Sequence, residues 1–98
     1  MSAGFDASKL DDVIHGKLRL SLMAYLSSVE SATFAELRSK TEATDGNLSV
    51  HLRKLEEAGY IGIEKSFVDR KPQTRAHLTD AGREAWLDYL DQLKTLLG

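Results

Sequence analysis

The hydrophobic period of this chain switches from helical to alternating at Gly59 and switches back at Thr79. Up to Gly59, apolar residues recur every three or four positions, the spacing that lines one side of a helix. After it, Ile61, Ile63 and Phe67 alternate with Gly62, Glu64 and Ser66, and then Thr74, Ala76 and Leu78 alternate with Arg75 and His77. Alternation of this kind makes half-buried strands, and two of them joined by a short connection make a hairpin. A chain of 98 residues has room for one domain with a modest core. The expected class is therefore mainly α with a small β-hairpin, an α+β domain over residues 10–97.

The stretch before the switch, Thr44–Tyr60, reads as a short amphipathic helix with a start and a stop. Thr44 can accept from the orphan amides of the first turn, and Asp45 sits near the positive end of the helix dipole. Gly59 stands where a left-handed residue ends a helix at little cost. Leu48, Leu52 and Leu55 form a narrow apolar stripe at i, i+4 and i+7. The opposite face carries Gly46, Ser49, Val50 and Arg53, with Asn47 and Lys54 on one flank. A helix that lies against base edges in a major groove needs such a small, polar face.

Around this helix the chain supplies others. Leu10, Val13, Ile14, Leu18, Leu22 and Leu26 suit a first helix, widened by Leu20, Met23 and Tyr25. A helix apolar on more than one side is central to the core or shared with a partner chain. Ser27–Ala32 reads as a linker, with a very short strand near Ala32-Thr33. Thr33 caps a second helix that carries Phe34 and Leu37 and runs to about Lys40, with Glu36 completing a capping box. Thr41-Glu42-Ala43 is a tight turn, and Val68–Pro72 a turn-rich, basic connection. A last helix, capped by Thr79 or Asp80, runs to about Leu97 with Trp86, Tyr89, Leu90, Leu93, Leu96 and Leu97 on one broad face. Residues 1–9 read as a frayed tail.

The net charge of −2 does not advertise a nucleic-acid partner, but its distribution does. Between Lys65 and Arg75 there are four basic residues, Lys65, Arg70, Lys71 and Arg75, against the single acid Asp69. Screening confines each charge to about 10 Å, so the local excess outweighs the total. The chain has no cysteine, which excludes disulfides, thiolate metal sites and thiol switches. The N-terminus lacks the apolar run of a signal peptide, so a cytoplasmic location is expected. His15 and Asp11, one turn apart, read as a surface ion pair, since two ligands on one helix do not make a metal site. His51 borders the apolar stripe and reads as a half-buried packing residue, and His77 as exposed on the hairpin. No nucleophile–base constellation, carboxylate pair or phosphate-cradling glycine loop points to an enzyme, and no cofactor is implied.

Two helices joined by a tight turn, the second with a polar outer face, form a helix-turn-helix, here over residues 33–59. A hairpin with a basic tip directly after it, over residues 60–79, is a wing. On Phe34–Leu37, Asp45–Ile61, Lys65-Ser66-Phe67, Lys71–Thr74 and Leu78–Gly82, the chain resembles the winged-helix domains of MarR/ArsR-type transcriptional regulators. The resemblance covers roughly residues 10–97. It implies a sequence-specific regulator of double-stranded DNA, most simply a repressor, with the third helix in the major groove and the wing on phosphate or the adjacent minor groove. Carried over residue by residue, the DNA-binding set is Asp45, Gly46, Asn47, Ser49, Val50, Arg53 and Lys54 on the helix and Lys65, Arg70, Lys71 and Arg75 on the wing. Arg53 can bind guanine with two parallel hydrogen bonds, and Asn47 can pair with adenine. Asp45 serves the helix cap or accepts from a cytosine amine. Pro72 stiffens the wing loop.

Leu10, Val13, Ile14 and Tyr25, with Trp86, Leu90, Leu93 and Leu97, are more apolar surface than so small a monomer needs. They are expected to form a two-fold homodimer interface between the N- and C-terminal helices, which implies a palindromic operator. A small-molecule effector also belongs to regulators of this kind, and the sequence does not name one. The other reading of the same residues is a winged-helix module that docks proteins without binding DNA.

Overall fold

The computed structural model describes residues 10–98, so the expected tail over residues 1–9 lies outside the described residues. The elements are α1 (Lys17–Ser27), β1 (Ala32–Thr33), α2 (Phe34–Thr41), α3 (Asp45–Glu57), β2 (Ile61–Val68), β3 (Lys71–Leu78) and α4 (Asp80–Leu97). Helix, helix, turn, helix, hairpin and helix follow in the expected order, and the strands form one antiparallel sheet in the order β1-β3-β2. This is a winged helix-turn-helix.

Local chemistry accounts for most of the boundaries. Thr33 Oγ1 accepts from the Glu36 amide at 3.1 Å, Thr44 Oγ1 from the Asn47 amide at 3.2 Å, and Thr79 Oγ1 from the Gly82 amide at 2.9 Å. Three threonines thus start three helices, each satisfying one orphan donor. At the end of α3, the Tyr60 amide donates to Leu55 O and the Gly59 amide to Glu56 O, with Gly59 at φ 81°. That is a Schellman closure, and the left-handed residue it requires is a glycine. The turn between α2 and α3 uses a left-handed residue too, but there it is Glu42 at φ 57°.

The first helix is shorter than its apolar spacing predicts. It begins at Lys17, not Leu10, because residues 12–14 form a separate turn. Asp11 Oδ1 accepts from the Val13 amide at 2.8 Å and the Ile14 amide at 3.3 Å, and Gly16 then takes an extended conformation that no helix can pass through. The local side-chain bonds of an aspartate compete successfully with the helix at this point.

The wing turn is also tighter than expected. Val68 pairs with Lys71, so only Asp69 and Arg70 lie in the loop, both with positive φ. Pro72 belongs to β3, opposite Phe67. In a two-residue hairpin this position is a non-hydrogen-bonded pair, so the missing proline N–H faces outward, where β1 does not reach. Pro72 therefore stiffens the strand rather than the loop.

The core is continuous through the domain. Ile14, Leu22, Met23, Leu26, Leu37, Leu48 and Leu55 are fully buried, closed by Ile61, Ala76, Trp86 and Tyr89. The Trp86 and Tyr89 rings stack with centroids 6.1 Å apart. The junction between α3 and α4 is held by the Thr79 hydroxyl, which donates to Gly59 O at 2.6 Å. The Thr79 amide donates to Tyr60 O at 3.0 Å. Gly82 packs so closely on the Tyr60 carbonyl that any Cβ would collide with it.

Candidate nucleic-acid interface

The stripe Leu48, Leu52 and Leu55 anchors α3 on the core and so determines which of its faces looks outward. Asp45, Gly46, Asn47, Ser49, Val50, Arg53 and Lys54 are all exposed, Val50 at 47%. An exposed valine amid polar residues on a well-anchored helix is what a thymine methyl would meet. α3 packs against α1, α2 and β2, so its angle is held from three sides.

Asp45 has a partner that its sequence position did not suggest. Arg38 Nη1 of α2 donates to Asp45 Oδ1 at 2.9 Å, the one ion pair among the described residues. Asp45 thus ties the two helices of the helix-turn-helix across their turn. The pairing of an α2 arginine with an α3 aspartate seven residues later carries no periodic signal. It depends on the angle of the turn.

The wing residues divide by face. Register places Ile61, Ile63, Lys65 and Phe67 on one face of the hairpin with Leu78, Ala76, Thr74 and Pro72. The inner half of that face meets the helices and the outer half runs past them. Lys65, Arg70 and Lys71 are exposed and have no acidic partner among the described residues. Arg75 points from the other face. It is half-buried, its Nη1 donates to Ser31 Oγ at 2.8 Å and its Nε to Gln73 Oε1 at 3.3 Å. Of the four wing cations, Arg75 is therefore engaged within the chain as a clamp between β3 and the loop before β1.

A second polar cluster braces α3 from behind. Arg19 of α1 donates through Nη1 to His51 Nδ1 at 2.8 Å, through Nε to Val13 O and through Nη2 to Asp12 O at 3.4 Å. Arginine has no acceptor, so His51 must accept, which requires a neutral ring protonated on Nε2. Burial, then the charges of Arg19 and Lys54, hold the His51 pKa below its ordinary value. His51 is thus half-buried as expected, but it is also the link between the recognition helix and the turn at residues 12–14. On the far side, Tyr60 donates to Asp11 Oδ2, and this hydrogen bond, reinforced by burial, pushes the phenol pKa up to about 12. His15 makes no ion pair with Asp11. Its Nδ1 meets Tyr89 Oη at 2.8 Å instead. His77 is half-buried, its ring lying over Gly62.

The residues expected at the dimer interface also divide. Ile14 is fully buried and Trp86 is 8% exposed, so both serve the core of a single chain. Tyr25 leans on α2, its hydroxyl donating to Glu36 Oε2 at 3.4 Å and its ring lying 5.8 Å from Lys40 Nζ. Leu10, Val13 and Leu93 are half-buried against the core. Leu90 and Leu97 remain exposed, joined on α4 by Leu87 and Leu96. Among the described residues expected at this interface, the exposed apolar surface is therefore on α4, while Leu10, Val13 and Ile14 pack on the core. The division follows from the early start of the chain's first turn, which folds Val13 and Ile14 back onto the core.

Comparison with known proteins agrees with this geometry. The family model described as a winged helix DNA-binding domain matches residues 18–97. An uncharacterized protein of Methanocaldococcus jannaschii is 33% identical over 84 residues, covering 86% of this chain and 91% of that one. A transcriptional regulator homologue from Pyrococcus horikoshii superimposes with a TM-score of 0.81 at 32% identity, covering 87% of this chain and 84% of that one. A MarR-family putative transcriptional regulator from Enterococcus faecalis superimposes with a TM-score of 0.68 at 26% identity, covering 94% and 87%. Both structural relatives are described as transcriptional regulators. With its capped α3 and its wing at the places that define the fold, this chain belongs to the winged helix DNA-binding domain family and is a DNA-binding transcriptional regulator of the MarR-like kind.

Proposed function

We propose that the protein is a cytoplasmic repressor that binds a palindromic operator as a homodimer. The observation that carries this reading is the outer face of α3, where Asn47, Ser49, Val50 and Arg53 stand exposed on a helix anchored by three buried leucines. In the proposed complex this face enters the major groove. Arg53 reads guanine, Asn47 adenine and Val50 a thymine methyl. Ser49, Lys54 and the first-turn amides beside Gly46 hold phosphate. Lys65, Arg70 and Lys71 bring the wing onto the backbone or the adjacent minor groove. Asp45 acts through Arg38 by holding the angle between α2 and α3.

Leu87, Leu90 and Leu97, exposed on one side of α4, support the dimer. Pairing of two α4 helices would cover them and set two copies of α3 about 34 Å apart, one turn of duplex. A small-molecule effector is the remaining partner of this reading, detectable as a ligand that shifts duplex affinity. The test is selection of bound sequences from a random duplex pool. Enrichment of a two-fold symmetric site with half-sites spaced by one helical turn is expected. A single asymmetric half-site would overturn the dimer, and no enrichment would overturn sequence reading in favour of protein docking.

A further inference from the structure

The wing carries a residue that cationic contacts do not explain. Phe67 is 76% exposed, the most exposed aromatic side chain among the described residues that has a large apolar surface. It is not at the turn itself but one pair back, opposite Pro72. Register puts it on the hairpin face of Ile61, Ile63 and Lys65, whose inner members pack against the helices. α3 packs on β2, and the outer end of that strand, Lys65 and Phe67, is exposed. Arg70 and Lys71 flank it at the tip, and none of the three cations is paired among the described residues. Asp69 is the only acid there.

An apolar ring this exposed at the end of a stiff hairpin offers hydrophobic surface that a bound partner gains by covering. Its setting selects the cover. A ring ringed by unpaired cations is poorly suited to an apolar protein surface, which would have to desolvate those charges. A polyanion with apolar walls suits both. The minor groove of duplex DNA is such a surface, with deoxyribose carbons along its sides and phosphates at its rims. The hairpin is also stiff where it carries the ring. Pro72 has a restricted φ, and the two-residue turn beyond it leaves little slack, so seating the ring costs little ordering.

Resting on the DNA-binding reading above, we propose that Phe67 is a DNA contact: it seats in the minor groove beside the site read by α3 and packs on the sugar walls, while Lys65, Arg70 and Lys71 hold the phosphate rims. The wing is then an apolar wedge between cationic guides, not a purely electrostatic arm. Proteins that press apolar side chains into the minor groove gain surface there at the expense of base stacking.

The test compares the parent protein with Phe67→Ala and with Arg70→Ala/Lys71→Ala on an operator taken from the selection. Phe67→Ala should bind roughly ten- to a hundredfold more weakly, the range for uncovering a phenyl group, with the same salt slope as the parent. The double variant should instead flatten the slope by roughly two units of released counterion. Hydroxyl-radical footprinting, which reports access to deoxyribose, should lose protection only at the wing position in Phe67→Ala. Phe67→Leu should restore part of both affinity and protection. Circular dichroism checks that each variant folds. Equal affinity and an unchanged footprint for Phe67→Ala overturn the inference. So does a change in oligomeric state by light scattering without loss of affinity, which would make the ring a self-association patch. Failure of the parent protein to bind any duplex is a different result, since it removes the DNA reading itself.

Discussion

Gly82 shows how one residue can be required without touching DNA. It lies in the first turn of α4, against the carbonyl of Tyr60, at the point where α3 hands over to the wing. Gly82→Ala must push α4 away from that carbonyl and strain the Thr79 bonds to Gly59 and Tyr60. A loss of about 1–3 kcal/mol is expected, the range for overpacking a tight contact, read by urea denaturation with an unchanged m-value. On the proposed DNA-binding face the corresponding residue is Arg53. Arg53→Ala is expected to leave stability within about 0.5 kcal/mol of the parent, because the side chain is exposed. It should lower discrimination at one base position by about 1–3 kcal/mol, measured as the ratio of affinities for operators substituted at that base. An equal loss for every sequence would reassign Arg53 to phosphate.

At the scale of elements, the attachment of α3 to α1 is expected to weaken with falling pH. His51 accepts from Arg19 only when neutral, and its pKa in the folded protein is lowered. The unfolded chain therefore takes up a proton first as pH falls below about 6.5. The contribution of this pair is complete above that value and declines as pH drops toward the folded pKa. Thermal unfolding between pH 7.5 and pH 5 should show the loss in the parent and a smaller one in His51→Gln, which keeps an acceptor but does not titrate. Identical slopes for the two proteins would exclude His51 as the cause. The opposite sign applies to Tyr60, whose raised pKa stabilises the fold below about pH 10 and ceases to do so as pH rises toward about 12. Loss of stability across that alkaline interval should be smaller in Tyr60→Phe, where Tyr89, its pKa also raised by burial, still contributes.

At the scale of the molecule, the decisive surface is the outer side of α4. Leu97 is 85% and Leu87 59% exposed, and Leu90, 40% exposed, lies between them around the helix. Leucines without cover among the described residues are the surface on which the proposed dimer rests. Leu90→Asp with Leu97→Asp is expected to give a folded monomer by light scattering, with melting close to the parent's monomeric core. Affinity for a symmetric operator should fall toward that for a single half-site. A parent protein that is itself monomeric at micromolar concentration would remove the palindrome from the proposal.

Much of this protein was legible before any coordinates. Threonine caps at Thr33 and Thr44, a cap at Thr79 or Asp80, a glycine stop and a period that switches at Gly59 are local signals, and local signals determine where helices start, where they end and which side faces in. Leu48, Leu52 and Leu55 are buried as their spacing requires, so the polar face of α3 could be named residue by residue. The basic excess of the wing is likewise a matter of adjacency along the chain. What the chain alone could not decide were pairings between elements. The apolar spacing of Leu10–Ile14 suited a helix, yet an Asp11 cap and an extended Gly16 turned it into a separate turn whose Ile14 fills the core. Arg38 reaches Asp45, Arg19 reaches His51 and Arg75 reaches Ser31 only because the helices and strands meet at particular angles. The exposure of Phe67 is of the same kind. An alternating pattern assigns it to the inner face of the hairpin, and only the reach of the wing past the helices leaves that face without a cover. Hydrophobic period specifies the side of an element, but the neighbour on that side is settled by the packing of the whole chain.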